Sequence, residues 1–155
     1  MLGSNSGDRP GHLRLTIEFI ENEIGRLLAR SKIYETAPWG KADQPDFLNQ
    51  VLHVASQLSP IELLLKAQAI ERTLGRTRQE KWGERTVDID ILYFDDKTID
   101  IPGLVIPHPH LAARKFVLVP LVEISPEFVH PVLQKSNFEL LKECQDTLAV
   151  KEFRG

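Results

Sequence analysis

The segment from Val87 to Ile91 alternates apolar and acidic side chains, which is the pattern of a strand with one buried face. Because successive side chains of a strand point to opposite faces, we expect Asp88 and Asp90 to share one face and the apolar residues to share the other. Two carboxylates about 5 Å apart repel each other by roughly 3 kcal/mol at an effective dielectric constant of about 20. A protein that keeps both ionised needs a cation there, and carboxylate oxygens suit Mg²⁺.

Basic residues are concentrated directly upstream of the two aspartates. The window 72–85 contains five basic and two acidic residues, a local charge of +3 on a chain whose net charge is -3. Residues 76–85 lack hydrophobic periodicity and are expected to form a loop. Since guanidinium groups suit phosphate oxygens, arginines beside magnesium-binding carboxylates indicate a nucleoside triphosphate. From these residues alone, a solvated strand face paired with nearby arginines is an equally good interpretation.

Composition excludes several classes of protein. At 155 residues the chain is expected to form one domain, residues 1–155, with a proper hydrophobic core. A net charge of -3 argues against general affinity for nucleic acid or anionic membranes. Cys144 is the only cysteine, so an intrachain disulfide is impossible and a reducing compartment fits. Without an apolar run of about 18 residues or a signal peptide, we expect a cytoplasmic protein.

Periodicity and capping signals predict alternating helices and strands. Ser59, Pro60 and Glu62 form a capping-box start for a helix that runs to Gly75. Ser136 and Glu139 indicate a last short helix. The remaining predicted segments are a helix over 10–28, strands over 30–36, 46–57, 86–94 and 98–101, a connection over 102–115 and a packed apolar segment over 116–124.

A strand before the first helix would complete the order βαββαβ, which is the ferredoxin-like pattern. Only Met1 and Leu2 precede the turn that begins at Gly3. Two residues are too few for a central strand, so we expect the first strand to be missing, truncated before Gly3.

A series of short motifs follows in order along nearly the whole chain: Gly3-Ser4-Asn5, Tyr34-Glu35-Thr36, Asp43-Gln44-Pro45-Asp46-Phe47-Leu48-Asn49, Leu74-Gly75-Arg76-Thr77-Arg78, Trp82-Gly83-Glu84-Arg85-Thr86-Val87-Asp88-Ile89-Asp90-Ile91-Leu92, Pro107-His108-Pro109 and Arg114-Lys115-Phe116-Val117-Leu118. This series closely resembles the 6-hydroxymethyl-7,8-dihydropterin pyrophosphokinase family of the folate pathway. The resemblance implies an α/β (α+β) ferredoxin-like sandwich, an antiparallel-rich sheet with helices packed on it. It also implies transfer of the pyrophosphoryl group of ATP to the pterin hydroxymethyl group, with release of AMP.

The resemblance implies a role for each of several residues. Asp88 and Asp90 would hold two Mg²⁺ ions, and Arg76 and Arg85 would assist the transfer. The residues implied for ATP are Gln68, Glu71, Arg78, Trp82, Ile91, His108 and Arg114. The residues implied for the pterin are Thr36, Trp39, Phe47, Asn49 and Phe116, with Phe47 and Phe116 sandwiching the ring. The partners would be ATP and the dihydropterin, with no nucleic acid and no membrane, and we expect a monomer.

Other interpretations remain open at this point. An Asp-x-Asp strand also serves metal-dependent phosphoesterases and nucleases. A ferredoxin-like fold can equally be a non-catalytic ligand-binding module. Taken without the resemblance, Phe47 and Phe116 would be core residues. Gln68 and Glu71 would be surface residues on one helix face.

Overall fold

The computed structural model describes residues 1–39, 43–75 and 86–155. The strands in these ranges are β1 (Leu2–Ser4), β2 (Gly25–Arg30), β3 (Tyr34–Thr36), β4 (Phe47–Gln50), β5 (Leu52–Ser56), β6 (Asp88–Ile89), β7 (Ile99–Ile101), β8 (Leu104–Ile106) and β9 (Val150–Glu152). The helices are α1 (Arg9–Glu23), α2 (Pro60–Thr73), α3 (Lys115–Ile124) and α4 (Asn137–Glu143), with a 3₁₀ turn at Leu111–Ala113.

One five-stranded sheet organises the molecule, in the order β6-β1-β4-β3-β9 with every pair antiparallel. The pairs β2–β5 and β7–β8 form two separate ribbons in the described ranges. Residues of α1 and α2 pack with Leu2 and Leu48 in one buried cluster. Residues of α3 and α4 pack with Val51 and Leu92 in a second. The predicted α/β fold, an antiparallel-rich sheet with packed helices, is confirmed.

The prediction that the first strand is missing is wrong. Residues Leu2–Ser4 form β1, which lies inside the sheet with Leu2 opposite both Gln50 and Ile89. Three residues are enough because neighbours on both sides satisfy the backbone and because Leu2 and Ser4 are almost fully buried, at 1% and 0% exposure.

The first predicted helix is shorter than its periodicity suggested. It ends at Glu23, and residues 25–30 pair with β5 instead. Leu27 and Leu28 fit helical spacing, but pairing with a strand distant in sequence overrides that local signal. Glycine is required at the start of β2, because a Cβ on Gly25 would lie 2.1 Å from the carbonyl oxygen of Ala55.

The predicted capping box at Ser59 and the short helix predicted at Ser136 are confirmed. Ser59 accepts from the Glu62 amide, and the Glu62 carboxylate accepts from the Ser59 amide at 2.7 Å. Ser136 and Glu139 form the same reciprocal pair at the start of α4. The α2 helix ends at Thr73, and Gly75 follows with φ at 86°, a left-handed conformation that glycine favours.

The strand predicted over 46–57 is divided between two sheets. Val51 lies at the division, where its carbonyl accepts from the Ser31 amide at 2.9 Å and its amide donates to the Ser31 hydroxyl at 3.0 Å. The strand predicted over 30–36 is interrupted opposite this point: β2 ends at Arg30, Ser31 bonds Val51, and β3 begins at Tyr34. The prediction over 86–94 is too long, since only Asp88–Ile89 is strand. The predicted connection 102–115 contains β8 and the 3₁₀ turn. The apolar segment predicted over 116–124 lies in α3. Strand β9 was not predicted.

Candidate active site

A cavity opens beside β1, β3, β4 and β6, and its lining combines apolar rings with a few polar side chains, as in sites for small-molecule ligands. Both predicted metal ligands, all five predicted pterin residues and one predicted ATP residue line this cavity. Its lining consists of Met1, Gly3, Thr36, Ala37, Trp39, Gln44, Phe47, Asn49, Asp88, Asp90, Arg114 and Phe116.

The two aspartates share one face of the acidic segment, as their spacing predicted. Asp88 lies opposite Gly3 of β1, and the Asp90 amide donates to the carbonyl of Met1 at 2.9 Å. Both residues line the cavity, whereas Ile89 between them packs against the buried cluster of α1 and α2. The pairing with β1 therefore fixes the backbone that carries both carboxylates.

Burial of Asp90 raises the pKa of its carboxyl group, and the charge of Asp88 raises that pKa further. The amino group of Met1, His108 and Arg114 act in the opposite direction on the same pKa. The Met1 amine donates to the Asp90 carbonyl at 2.6 Å, and burial lowers the pKa of that amine to about 6.

This pair of carboxylates fits a magnesium site that is completed by other ligands. Within the described ranges, no group of three or more His, Cys, Asp or Glu side chains could hold a metal ion. Mg²⁺ is typically bound through one or two carboxylates, with waters and phosphate oxygens as the remaining ligands. The donors therefore fit a metal that arrives with a phosphorylated substrate.

A polar pair from β3 and β4 and two aromatic rings, one from β4 and one from α3, also line the cavity. The side-chain amide of Asn49 donates through Nδ2 to the Thr36 hydroxyl at 2.8 Å, and Asn49 and Thr36 are only 2% and 3% exposed. Phe47 and Phe116 are half-buried and line the same cavity. The arrangement combines hydrogen-bonding groups with flat apolar surfaces, as recognition of a heteroaromatic ring requires.

Arg114 connects this aromatic side to the aspartates. Its guanidinium carbon lies 4.5 Å from the centroid of the Trp39 ring and 5.8 Å from that of Phe116. Both distances are within the range of cation–π attraction. Arg114 also acts electrostatically on Asp90, so one cation faces both the rings and the carboxylates.

Four residues predicted for ATP do not line this cavity: Gln68, Glu71, Ile91 and His108. His108 lies close enough to Asp90 to affect its pKa, while burial lowers the pKa of His108 itself. Gln68 and Ile91 are half-buried. Glu71 is only 4% exposed and accepts a hydrogen bond from the Ile89 amide at 2.8 Å, so the interpretation of Glu71 as a surface residue is wrong.

Arg76, Arg78, Trp82 and Arg85 lie outside the residues that the structure describes, and so does the predicted loop 76–85. Their implied roles stay predictions.

Sequence reasoning missed four residues of the lining. Met1 and Gly3 were overlooked because the strand that carries Gly3 was expected to be missing. Ala37 directly follows the predicted pterin residue Thr36, and Gln44 belongs to the motif that contains Phe47 and Asn49, but neither was assigned a role. Gln44 accepts a hydrogen bond from Asn5, which is 1% exposed, at 3.2 Å.

None of the helices in the described ranges has the length and apolarity needed to cross a membrane.

Comparison with known proteins gives concordant matches. The family described as 7,8-dihydro-6-hydroxymethylpterin-pyrophosphokinase (HPPK) matches residues 1–126. A protein of Aquifex aeolicus is 42% identical over 154 residues, which cover 98% of this chain and 92% of that protein. A protein of Bacillus subtilis is 45% identical over 124 residues, covering 79% and 74%. Both are named 2-amino-4-hydroxy-6-hydroxymethyldihydropteridine pyrophosphokinase.

Solved structures show the same fold. An HPPK-DHPS protein in complex with substrates superposes with a TM-score of 0.75 at 15% identity, over 92% of this chain and 42% of that chain. The Plasmodium falciparum HPPK-DHPS with pterin and p-hydroxybenzoate gives a TM-score of 0.73 at 19% identity, over 92% and 42%. The chain thus spans about two fifths of these larger proteins, and at such low identity the likeness concerns the fold alone.

Proposed function

The chain belongs to the 7,8-dihydro-6-hydroxymethylpterin-pyrophosphokinase family, and from this premise we propose that the cavity beside β1 and β6 is its active site. The protein is a transferase of folate biosynthesis. It transfers the pyrophosphoryl group of ATP to the hydroxymethyl group of 6-hydroxymethyl-7,8-dihydropterin and releases AMP. The phosphoesterase and the non-catalytic binding module are not favoured, because the relatives that match nearly the whole chain are named pyrophosphokinases.

The observation that carries the proposed site is the meeting of two kinds of group in one cavity. Asp88 and Asp90 supply carboxylates, while Phe47, Phe116 and Asn49 supply rings and a buried amide. A reaction between a metal-bound triphosphate and a flat heterocycle needs both kinds side by side.

Asp88 and Asp90 are proposed to hold two Mg²⁺ ions together with the phosphates of ATP. Support comes from their shared face, the effect of the Asp88 charge on the pKa of Asp90 and the fit of the donor set. Bound magnesium would neutralise phosphate charge and lower the pKa of the attacking hydroxyl group. The chain's own contribution is to hold both carboxylates on a backbone paired with β1.

In the same cavity, Phe47 and Phe116 are proposed to sandwich the pterin ring. Asn49 and Thr36 would bind its polar edge, and Trp39 would form part of the wall. The hydrogen bond between Asn49 and Thr36 orients the amide before the substrate arrives, which lowers the entropic cost of binding.

The remaining predicted residues are proposed to serve ATP. Arg114 and His108 would contact phosphates, because both lie near Asp90 and Arg114 carries a fixed positive charge. Gln68, Glu71 and Ile91 would lie near the nucleoside. Arg78 and Trp82 would bind ATP, while Arg76 and Arg85 would stabilise charge during transfer.

The cellular context is likewise proposed. A net charge of -3 and a single cysteine support a monomeric cytoplasmic enzyme that binds neither nucleic acid nor membranes.

An assay for AMP tests the proposed site. With ATP, Mg²⁺ and reduced pterin, we expect AMP to form only when the pterin is present. Asp88→Asn and Asp90→Asn should each abolish AMP formation, whereas Asp100→Asn, a change at an exposed position of β7, should leave it unchanged. AMP formation that survives both cavity substitutions would contradict the assignment of the site.

A further inference from the structure

The outer edge of β6 is hydrogen-bonded by a side chain. Among the described strands, β6 pairs with β1 alone. The Asp90 amide donates toward β1, to the Met1 carbonyl. Amide groups of consecutive strand residues point to opposite sides, so the Ile89 amide points away from β1. There it donates to Oε1 of Glu71 at 2.8 Å.

The Glu71 carboxylate that accepts this hydrogen bond belongs to a buried side chain. Glu71 is 4% exposed and lies in the last turn of α2, next to Ile70 at 1% exposure in the core. A buried carboxylate is tolerated only when hydrogen bonds replace its water, and a charged acceptor makes the bond to an amide stronger. The contact therefore ties the end of α2 to the middle of the acidic segment.

We propose that Glu71 is a positioning residue for the metal-binding carboxylates. Its hydrogen bond to the Ile89 amide holds the peptide group that joins Asp88 to Ile89. By fixing the backbone between the two aspartates, it sets the direction in which their side chains enter the cavity. This inference rests on the proposed function, because it assumes that these two aspartates bind Mg²⁺. It is a second role beside the proposed place of Glu71 near the nucleoside, since here Glu71 acts through the Ile89 amide and does not line the cavity.

Two substitutions separate the reach of the side chain from its charge. Glu71→Gln keeps the acceptor oxygen at the same distance from the helix and removes the charge. Glu71→Asp keeps the charge and withdraws the acceptor by one methylene group. If positioning is the role, Gln should substitute for Glu better than Asp does.

The measurement is the affinity for Mg²⁺ in the presence of a non-hydrolysable ATP analogue, by titration calorimetry. We expect a loss of about 10-fold or more for Glu71→Asp, as is typical of changes behind a metal ligand, and less than about 3-fold for Glu71→Gln. Exchange of the Ile89 amide hydrogen, followed by NMR without metal, should accelerate in the Asp variant and stay slow in the Gln variant.

A matched control separates positioning from loss of helix stability. Glu62→Ala removes the capping box at the other end of α2 and should lower the stability of that helix without touching β6. Its Mg²⁺ affinity should remain that of the unmodified protein.

Three results would overturn the inference: an Asp variant that binds Mg²⁺ as well as the Gln variant, unchanged exchange of the Ile89 amide in the Asp variant, or an equal loss of affinity in Glu62→Ala. Asp88→Asn distinguishes the two levels of the argument. If Asp88→Asn leaves Mg²⁺ affinity intact, the proposed metal site fails. If it removes that affinity while Glu71→Asp does not, the positioning role alone fails.

Discussion

Without a metal ion, Asp88 and Asp90 carry like charges into the same cavity, so removing one charge should stabilise the protein. Asp88→Asn preserves the shape of the side chain and removes one partner of the repulsion. For two charges about 5 Å apart, effective dielectric constants between 80 and 20 give roughly 1 to 3 kcal/mol. Because both residues are half-buried, we expect a gain of about 1 to 2 kcal/mol in the free energy of unfolding.

Urea unfolding at pH 8 in the presence of EDTA measures this gain. At that pH the Met1 amine, whose pKa burial lowers to about 6, is neutral and no longer offsets the repulsion, whereas Arg114 keeps its charge and offsets part of it in both proteins. Addition of Mg²⁺ and an ATP analogue should reverse the order of stability. At about 100 times its dissociation constant, a ligand adds roughly 2.7 kcal/mol to a protein that binds it, and the variant should not gain this.

The pH dependence of the gain has a definite sign. The pKa of Asp90 is raised in the folded protein, so folding binds a proton at pH values between the ordinary pKa, about 3.9, and the raised one. The unmodified protein loses stability as pH rises through that window. The advantage of Asp88→Asn should be absent below the window and complete above it. A variant less stable than the parent at pH 8 in EDTA, or a gain that persists at low pH, would refute the reasoning.

Three further outcomes follow from described contacts. Burial lowers the pKa of His130, whose Nδ1 accepts from two backbone amides at 3.2 and 3.1 Å, so His130 should make stability in thermal melts fall as pH drops below about 6.5. His130→Gln should reduce that dependence and leave the part that His108 contributes, because burial also lowers the pKa of His108. Trp39→Leu removes the cation–π partner of Arg114 and should weaken binding of an ATP analogue by about 2- to 30-fold in calorimetry, whereas Trp39→Phe should retain most of the affinity. Leu48→Ala should cost about 2 to 5 kcal/mol in urea unfolding because Leu48 is 0% exposed, whereas Leu65→Ala, at 56% exposure, should change stability by less than about 0.5 kcal/mol.

Features determined by near neighbours in the chain were predictable from the sequence. The start of α2 follows from Ser59 and Glu62, which bond each other's amides within one turn. The shared face of Asp88 and Asp90 follows from the two-residue period of a strand, and both residues line the cavity. In each case the relevant partners lie within a few positions of each other.

Features determined by distant pairing were not predictable. Nothing in Leu2–Ser4 alone shows that strands with partner residues 44 and more positions away enclose it on both sides. The division of segment 46–57 at Val51 depends on Ser31, which has no local signature. The buried state of Glu71 depends in the same way on an amide 18 positions further along the chain.

The strand order also affects how the protein behaves at high concentration. Free sheet edges recruit strands from other copies and so start aggregation. In the described part of the chain, one edge is the two-residue strand β6, where an acidic side chain already occupies the outward amide. The other is β9, three residues long with exposed Lys151 and Glu152. Short, charged edges of this kind disfavour edge-to-edge strand pairing between copies. The protein should therefore resist aggregation through its sheet edges as long as both edges keep this form.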